Sequence, residues 1–157
     1  MRYASGNLRT PTPPAKTRWP EGILLRVAFV TVGDTGRKTG GYLYNAHVIS
    51  GLRNRSVEVE EIVACGASPE EQRAAAQRLG SILDPSRFDA IVVDALARIA
   101  VARHLDCWRT SLPVVAMVHE LPSVAGGESG PETVASERDY EEPLLRADRL
   151  VAVSEHG

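Results

Sequence analysis

Cysteine is scarce in this 157-residue chain, and so is any excess of charge. Cys65 and Cys107 lie too far apart to outline a disulfide framework, and they suit a reducing compartment. Both read as ordinary buried thiols. A formal charge of −2 offers no general attraction to nucleic acid or to an anionic membrane surface. No apolar run is long enough to span a bilayer, and the N-terminus lacks the apolar core of a signal peptide. The chain therefore reads as soluble and cytoplasmic. His, Cys, Asp and Glu nowhere gather at metal-ligand spacing, so no metal is expected. What is present is a hydrophobic fraction of 43%, enough for a core, in a length that fits one domain.

Residues 1–22 carry Pro11, Pro13, Pro14 and Pro20 in polar filler and no hydrophobic period, so they read as a disordered leader. Trp19 is the one residue there suited to docking. Residues 23–157 alternate strand and helix. Leu24 to Val32 is nearly continuous in apolar residues, the mark of a strand covered on both faces of a parallel sheet. A helix is expected from Tyr42 to Arg53, with Tyr42, Ala46, Ile49 and Leu52 as its apolar stripe. Val57 to Cys65 alternates and reads as a less covered strand. Ser68-Pro69-Glu70-Glu71 has the form of a helix start with a capping box. Ala75, Leu79 and Ile82 give that helix its buried side, and Pro85 closes it. Further strands are expected at Ala90–Asp94, Pro113–His119 and Leu150–Val153. Helices are expected from Ala97 to Asp106 and, after a polar loop, up to Arg146, with a bend or restart at Pro143.

This alternation predicts an α/β, Rossmann-like parallel sheet of about five strands with helices on both faces. Ligands of such sheets bind beyond the carboxyl ends of the strands. That rule collects Gly33 to Gly41, Asp94, His119, Glu120 and Ser154 to His156 on one rim. Ser154 reads as a helix cap with no helix after it, which suggests a fragment of a longer protein.

Several motifs on this rim have more than one meaning. The glycines miss the G-x-G-x-x-G spacing of a dinucleotide site. Gly33 to Thr39 approaches a P-loop, but Arg37 replaces the glycine before Lys38. Gly40-Gly41 opening a helix suits a phosphate, because the backbone can approach closely and the helix start offers free amides. A tight turn without a ligand is the plainer alternative. His119 suits a general base or a donor to a sugar hydroxyl, or merely caps its strand. His119-Glu120 is no zincin motif, since Leu121-Pro122 follows. Asp94 serves a ligand or caps the next helix. Ser154 reads as a helix cap, and nothing around it supports a catalytic triad.

Taken in order, these segments resemble the N-terminal domain of GT-B glycosyltransferases of the family 4 type. The resemblance covers about Arg26 to Gly157. It rests on Val27-Ala28-Phe29-Val30, Thr39-Gly40-Gly41-Tyr42, Phe88-Asp89-Ala90-Ile91-Val92-Val93, Pro113-Val114-Val115-Ala116-Met117-Val118-His119-Glu120, and Ala147-Asp148-Arg149-Leu150-Val151-Ala152-Val153-Ser154-Glu155. Glu120 stands where an aspartate is common in the family.

The resemblance implies an acceptor-side domain of a hexosyltransferase that uses a nucleotide-sugar as substrate, with no cofactor and no metal needed for chemistry. Gly40 and Gly41 would then meet the donor diphosphate, and His119 would be the catalytic residue. Tyr42, Asp94, Glu120, Ser154 and Glu155 would line the acceptor site. The acceptor is a carbohydrate, a lipid or a small molecule, which leaves peripheral membrane contact open, while nucleic acid is not expected as a partner. The family's C-terminal donor domain lies outside the resemblance. Two other readings compete with this one. One is a non-catalytic carbohydrate-binding remnant; the other is a nucleotide-binding enzyme of another class, an epimerase or a degenerate P-loop protein.

Overall fold

A computed structural model describes residues 24–33, 40–64, 68–125 and 131–153 of the chain. The segment expected to be a leader, Lys38, Cys65, Ser154 and Glu155 lie outside the described residues. The elements run β1 (Arg26–Val32), α1 (Gly40–Arg53), β2 (Glu58–Ala64), α2 (Pro69–Ile82), β3 (Ala90–Asp94), α3 (Arg98–Arg109), β4 (Val114–Val118), α4 (Pro122–Ala125), α5 (Pro131–Leu145) and β5 (Arg149–Ala152). Short 3-10 turns at Pro85–Arg87 and Ala95–Ala97 bracket β3.

All five strands are parallel, in the order β2-β1-β3-β4-β5. The winding starts at β1, which lies between β2 and β3. The chain leaves it toward β2 on one side and returns to β3 on the other, so β1 and β3 flank the point where the winding reverses. Six of the seven residues of β1 are buried, as its apolar run requires. Leu24 is 59% exposed and precedes the strand. β2 alternates because it lies at an edge. Its acids are matched by arginines, Glu58 with Arg26, Glu60 with Arg87 and Glu61 with Arg53. Charge of this kind discourages strand addition at an open edge.

Two cores flank the sheet. On one face, Val30, Ile62, Ile91 and Val93 pack with Leu79 of α2, Val101, Leu105 and Trp108 of α3, and Leu144 of α5. On the other face, Phe29, Val59 and Met117 pack with Ile49 of α1, joined by Tyr44, Val48 and Leu52. Successive strand residues point to opposite faces. Thr31, Asp94 and His119 therefore follow Phe29, Val92 and Met117 onto the face that carries α1.

Ser68 caps α2 as expected. Its hydroxyl accepts from Glu71 N, Glu71 accepts in return from Ser68 N, and Pro69 takes the first helical position. Ala75 and Leu79 are buried, but Ile82 is 57% exposed, because the helix ends there and Leu83 enters the core instead. The helix also stops before Pro85, which opens a 3-10 turn capped by Asp84.

Other expectations need correcting. α1 starts at Gly40, two residues early, so the glycines lie inside its first turn. Its buried positions are Asn45 and Ile49, while Ala46 is exposed. α3 starts at Arg98 and runs on to Arg109, bringing Trp108 into the core. Cys107 is exposed, because that same turn buries Trp108 and directs its neighbour outward. The polar loop after β4 contains the short helix α4, started by Pro122. No described helix is long and apolar enough to cross a membrane.

Candidate functional site

Asp94 ends β3 and is fully buried. A buried carboxylate is stable only when its oxygens find donors. One oxygen of Asp94 accepts from Thr31 Oγ1 at 3.1 Å and from Asn45 Nδ2 at 2.5 Å. The other accepts from Leu96 N at 2.9 Å, capping the turn that follows the strand. The pairing register explains the first contact. Val30 pairs with Val93, so Thr31 stands level with Asp94 one step further along. Of the two roles the sequence left open for Asp94, contact with a ligand or capping of the following turn, the cap is present.

His119 directly follows β4, and its side chain is 14% exposed. Its Nε2 lies 3.3 Å from Asn45 Oδ1 and 3.6 Å from Asp94 Oδ1. Tyr44 meets the ring edge-on, with centroids 5.8 Å apart and planes at 89°. Gly41 closes the arrangement. A Cβ built there would lie 3.8 Å from His119 Nδ1 and Cε1, and 3.7 Å from a methyl of Leu96. Gly40 is exposed and has open space beside it. The first turn of α1 carries no acidic residue, so nothing there opposes an anion at the positive end of the helix.

The expected site residues thus fall into three groups. Gly40, Gly41, Asp94 and His119 come together at the point where the winding reverses. Tyr42 turns toward the end of β1, where its hydroxyl donates to Val32 O at 2.8 Å. Glu120 follows His119 and is exposed. Asp94 was expected to line the acceptor site, yet its complete burial places it behind His119. Ser154 and Glu155 lie outside the described residues.

Asn45 and Thr31 are the residues that sequence reasoning missed. Asn45 is 4% exposed in a helix face otherwise filled by apolar side chains. An asparagine read on its own suggests solvent. The available signal was its position four residues after Gly41, one helical turn along the same face.

The space within the cluster is small. A cavity of about 30 Å³ lies between Thr31, Tyr42, Asn45 and Ile49, room for a water but not for a sugar. A ligand of this rim would rest over His119 and the start of α1. Larger hollows lie elsewhere. One of about 410 Å³ sits between α2, α3 and α5, and one of about 930 Å³ is bordered by Arg109 to Pro113 and Asp148. The latter is at the amino ends of β4 and β5, opposite the end where parallel sheets bind ligands. Among the described residues no group of His, Cys, Asp and Glu is arranged to hold a metal ion.

A five-stranded parallel sheet with helices on both faces, and polar groups gathered at its carboxyl rim, defines a Rossmann-like domain. Among solved structures the chain is similar to an alpha-glucosyltransferase in complex with UDP and a 13-mer DNA containing a central A:G mismatch. The TM-score is 0.51 at 13% identity, over 85% of this chain and 38% of that one. The likeness is therefore one of fold, and the chain spans well under half the length of that structure. No protein-family model matches the chain, and no curated protein matches it.

Proposed function

We propose that this chain is the acceptor-side domain of a GT-B glycosyltransferase of the family 4 type, transferring a hexose from a nucleotide-sugar to an acceptor hydroxyl. The observation that carries the reading is the placement of His119. It is backed by Asn45 and the buried Asp94, and it stands against Gly41 in the first turn of α1 where the winding reverses. An imidazole beside a helix start brings a hydrogen-bonding group and an anion-binding group to one spot, which is what a sugar diphosphate presents.

In this reading the amides around Gly40 and Gly41 face the donor diphosphate and stabilise charge developing on the leaving group. His119 orients the reacting sugar or the acceptor hydroxyl. Tyr42 and Glu120 border the acceptor, together with Ser154 and Glu155. The acceptor is a carbohydrate, lipid or small molecule. Neither a metal nor a cofactor takes part in the chemistry. A second Rossmann-like domain supplies most of the donor contacts, which agrees with the 38% coverage of the UDP-bound structure.

The test is a titration of the 157-residue chain with UDP and UDP-glucose, followed by amide NMR. Shifts confined to the first turn of α1 and to His119 are expected, with weak affinity. Sugar transfer is expected to be undetectable, because half of the transition-state contacts are missing. Shifts centred on the hollow between α2, α3 and α5 would refute the assignment, and measurable transfer by the chain alone would refute the division of labour.

A further inference from the structure

The hollow between α2, α3 and α5 lies on the face of the sheet opposite α1 and measures about 410 Å³. Small-molecule sites usually hold about 300–1,000 Å³. α3 packs against both α2 and α5, so its residues lie between the other two helices. Ile99 and Ala102 of α3 give the hollow an apolar floor, which Ala76 of α2 and Pro143 of α5 extend to either side. Arg73 Nε donates to the Tyr140 hydroxyl at 3.3 Å and ties α2 to α5 along its border.

Two opposite charges border the same hollow without neutralising each other. Arg103 of α3 and Asp139 of α5 are exposed, and neither side chain has a hydrogen bond or an ion pair with a described residue. Other charges of this helical layer are paired, Arg98 with Glu137, Arg146 with Asp106 and Arg73 with Glu70. Pro143 adds a third unmatched group. It lies inside α5 and has no N–H, so the helical bond that position 143 would give to the Asp139 carbonyl cannot form. Asp139 and Pro143 border the hollow together, so Asp139 brings two acceptors to that side of α5, its carboxylate and its carbonyl.

We infer that this hollow binds a small zwitterion with an apolar side group, of the α-amino-acid class. Its ammonium group donates to the carboxylate and carbonyl of Asp139. Its carboxylate accepts from the guanidinium fork of Arg103, with Arg73 adding positive charge nearby. Its side group rests on Ile99, Ala102 and Pro143. A simple carboxylate would be opposed by Asp139 and a simple amine by Arg103, so the pair selects a molecule that carries both charges. This site is independent of the function proposed above.

Amide NMR titration of the 157-residue chain with leucine and with phenylalanine tests the site. Each is compared with its deaminated acid, which lacks the ammonium group, and with its amide, which lacks the carboxylate. At least one of the two amino acids should shift the amides of residues 73–77, 99–103 and 139–142, and should bind several-fold more tightly than either of its counterparts. No shift there with either amino acid overturns the site. Equal binding of the deaminated acid overturns the role of Asp139, and equal binding of the amide overturns that of Arg103.

Two variants locate the contacts. Pro143→Ala returns the missing N–H to α5 and removes a proline from a helix, so the fold should be kept, as circular dichroism would show. It should weaken the amino acid several-fold and leave the deaminated acid unchanged, because the Asp139 carbonyl is then occupied. Arg103→Gln, at an exposed position, should weaken the amino acid and the deaminated acid alike. Unchanged amino-acid binding in both variants overturns the assignment of these residues.

Discussion

The hydroxyl of Tyr42 occupies the place that a side chain on Gly33 would need. It donates to Val32 O at 2.8 Å, and a Cβ on Gly33 would stand 2.6 Å from it. Gly33 also has φ +73°, in the left-handed region. Two separate features thus require glycine at the exit of β1, and they respond differently to substitution. Gly33→Ala should lose roughly 1–2 kcal/mol to backbone strain and a further 1–3 kcal/mol or so to overlap. For a chain of this size each kcal/mol lowers Tm by about 2–4 °C. Tyr42→Phe should recover the overlap portion and leave the backbone portion. A thermal double-mutant cycle reads the difference, and strict additivity of the two changes would sink the account.

Asp94 is the acceptor for three donors in the core. Asp94→Ala strands Thr31 Oγ1, Asn45 Nδ2 and Leu96 N. Each buried group without a partner costs about 1–3 kcal/mol, so a loss of at least about 3 kcal/mol is expected in urea unfolding. Thr31→Val removes only one donor from an acceptor that keeps the others, and should cost about 1 kcal/mol. Equal losses for the two variants would show that Asp94 is not the hub.

Glu141 ties the segment after His119 to α5. It is 2% exposed and accepts from Ser123 N at 2.9 Å and from Ser123 Oγ. Hydrogen bonds to a charged group contribute about 1.5–3 kcal/mol, so Glu141→Ala should destabilise by about that amount. Limited proteolysis should then cut first between Leu121 and Val124. Glu141→Gln still accepts from the backbone amide and should be milder. A variant with unchanged stability and cleavage would remove Glu141 from this role.

Acid sensitivity should depend in part on Asp148. Its carboxyl is held below its ordinary value of 3.8, mainly by the hydrogen bond from Val114 N at 2.8 Å and then by the nearby Arg109 guanidinium. A carboxyl whose pKa is lower in the folded chain stabilises the fold above the unfolded value. That contribution is lost as pH falls below about 4 and through the folded value. Asp84 and Asp106 shift the same way, through Ser86 and Arg146 respectively. Asp148→Asn should lower stability near neutral pH and flatten the acid side of the Tm profile. A parallel downward displacement of the whole profile would contradict the linkage.

Much of the fold was legible in the order of residues because each signal was local. Strands buried on both faces must be apolar throughout, and β1, β3 and β4 are. Ser68-Pro69-Glu70-Glu71 caps a helix through contacts no more than three residues apart. Element ends were less legible. α1 absorbed Gly40 and Gly41, and α3 continued to Arg109 because Trp108 fills a place in the core that only the packed sheet provides.

The candidate site was legible only by its rim. The rule that ligands sit beyond strand ends picked out Gly40, Gly41, Asp94 and His119 together. Its inner arrangement was not, because the contacts that build it are long-range: Asn45 to Asp94 spans 49 positions and Asn45 to His119 spans 74. The residue order by itself determined a parallel α/β sheet and the glycine start of α1, since apolar runs, caps and turns act within a few residues. Only the tertiary structure decided that Asp94 is buried behind His119 and that Asn45 joins them. A carboxylate in the core must take its donors from whatever elements the winding brings to it, and here those are β1, α1 and the turn after β3.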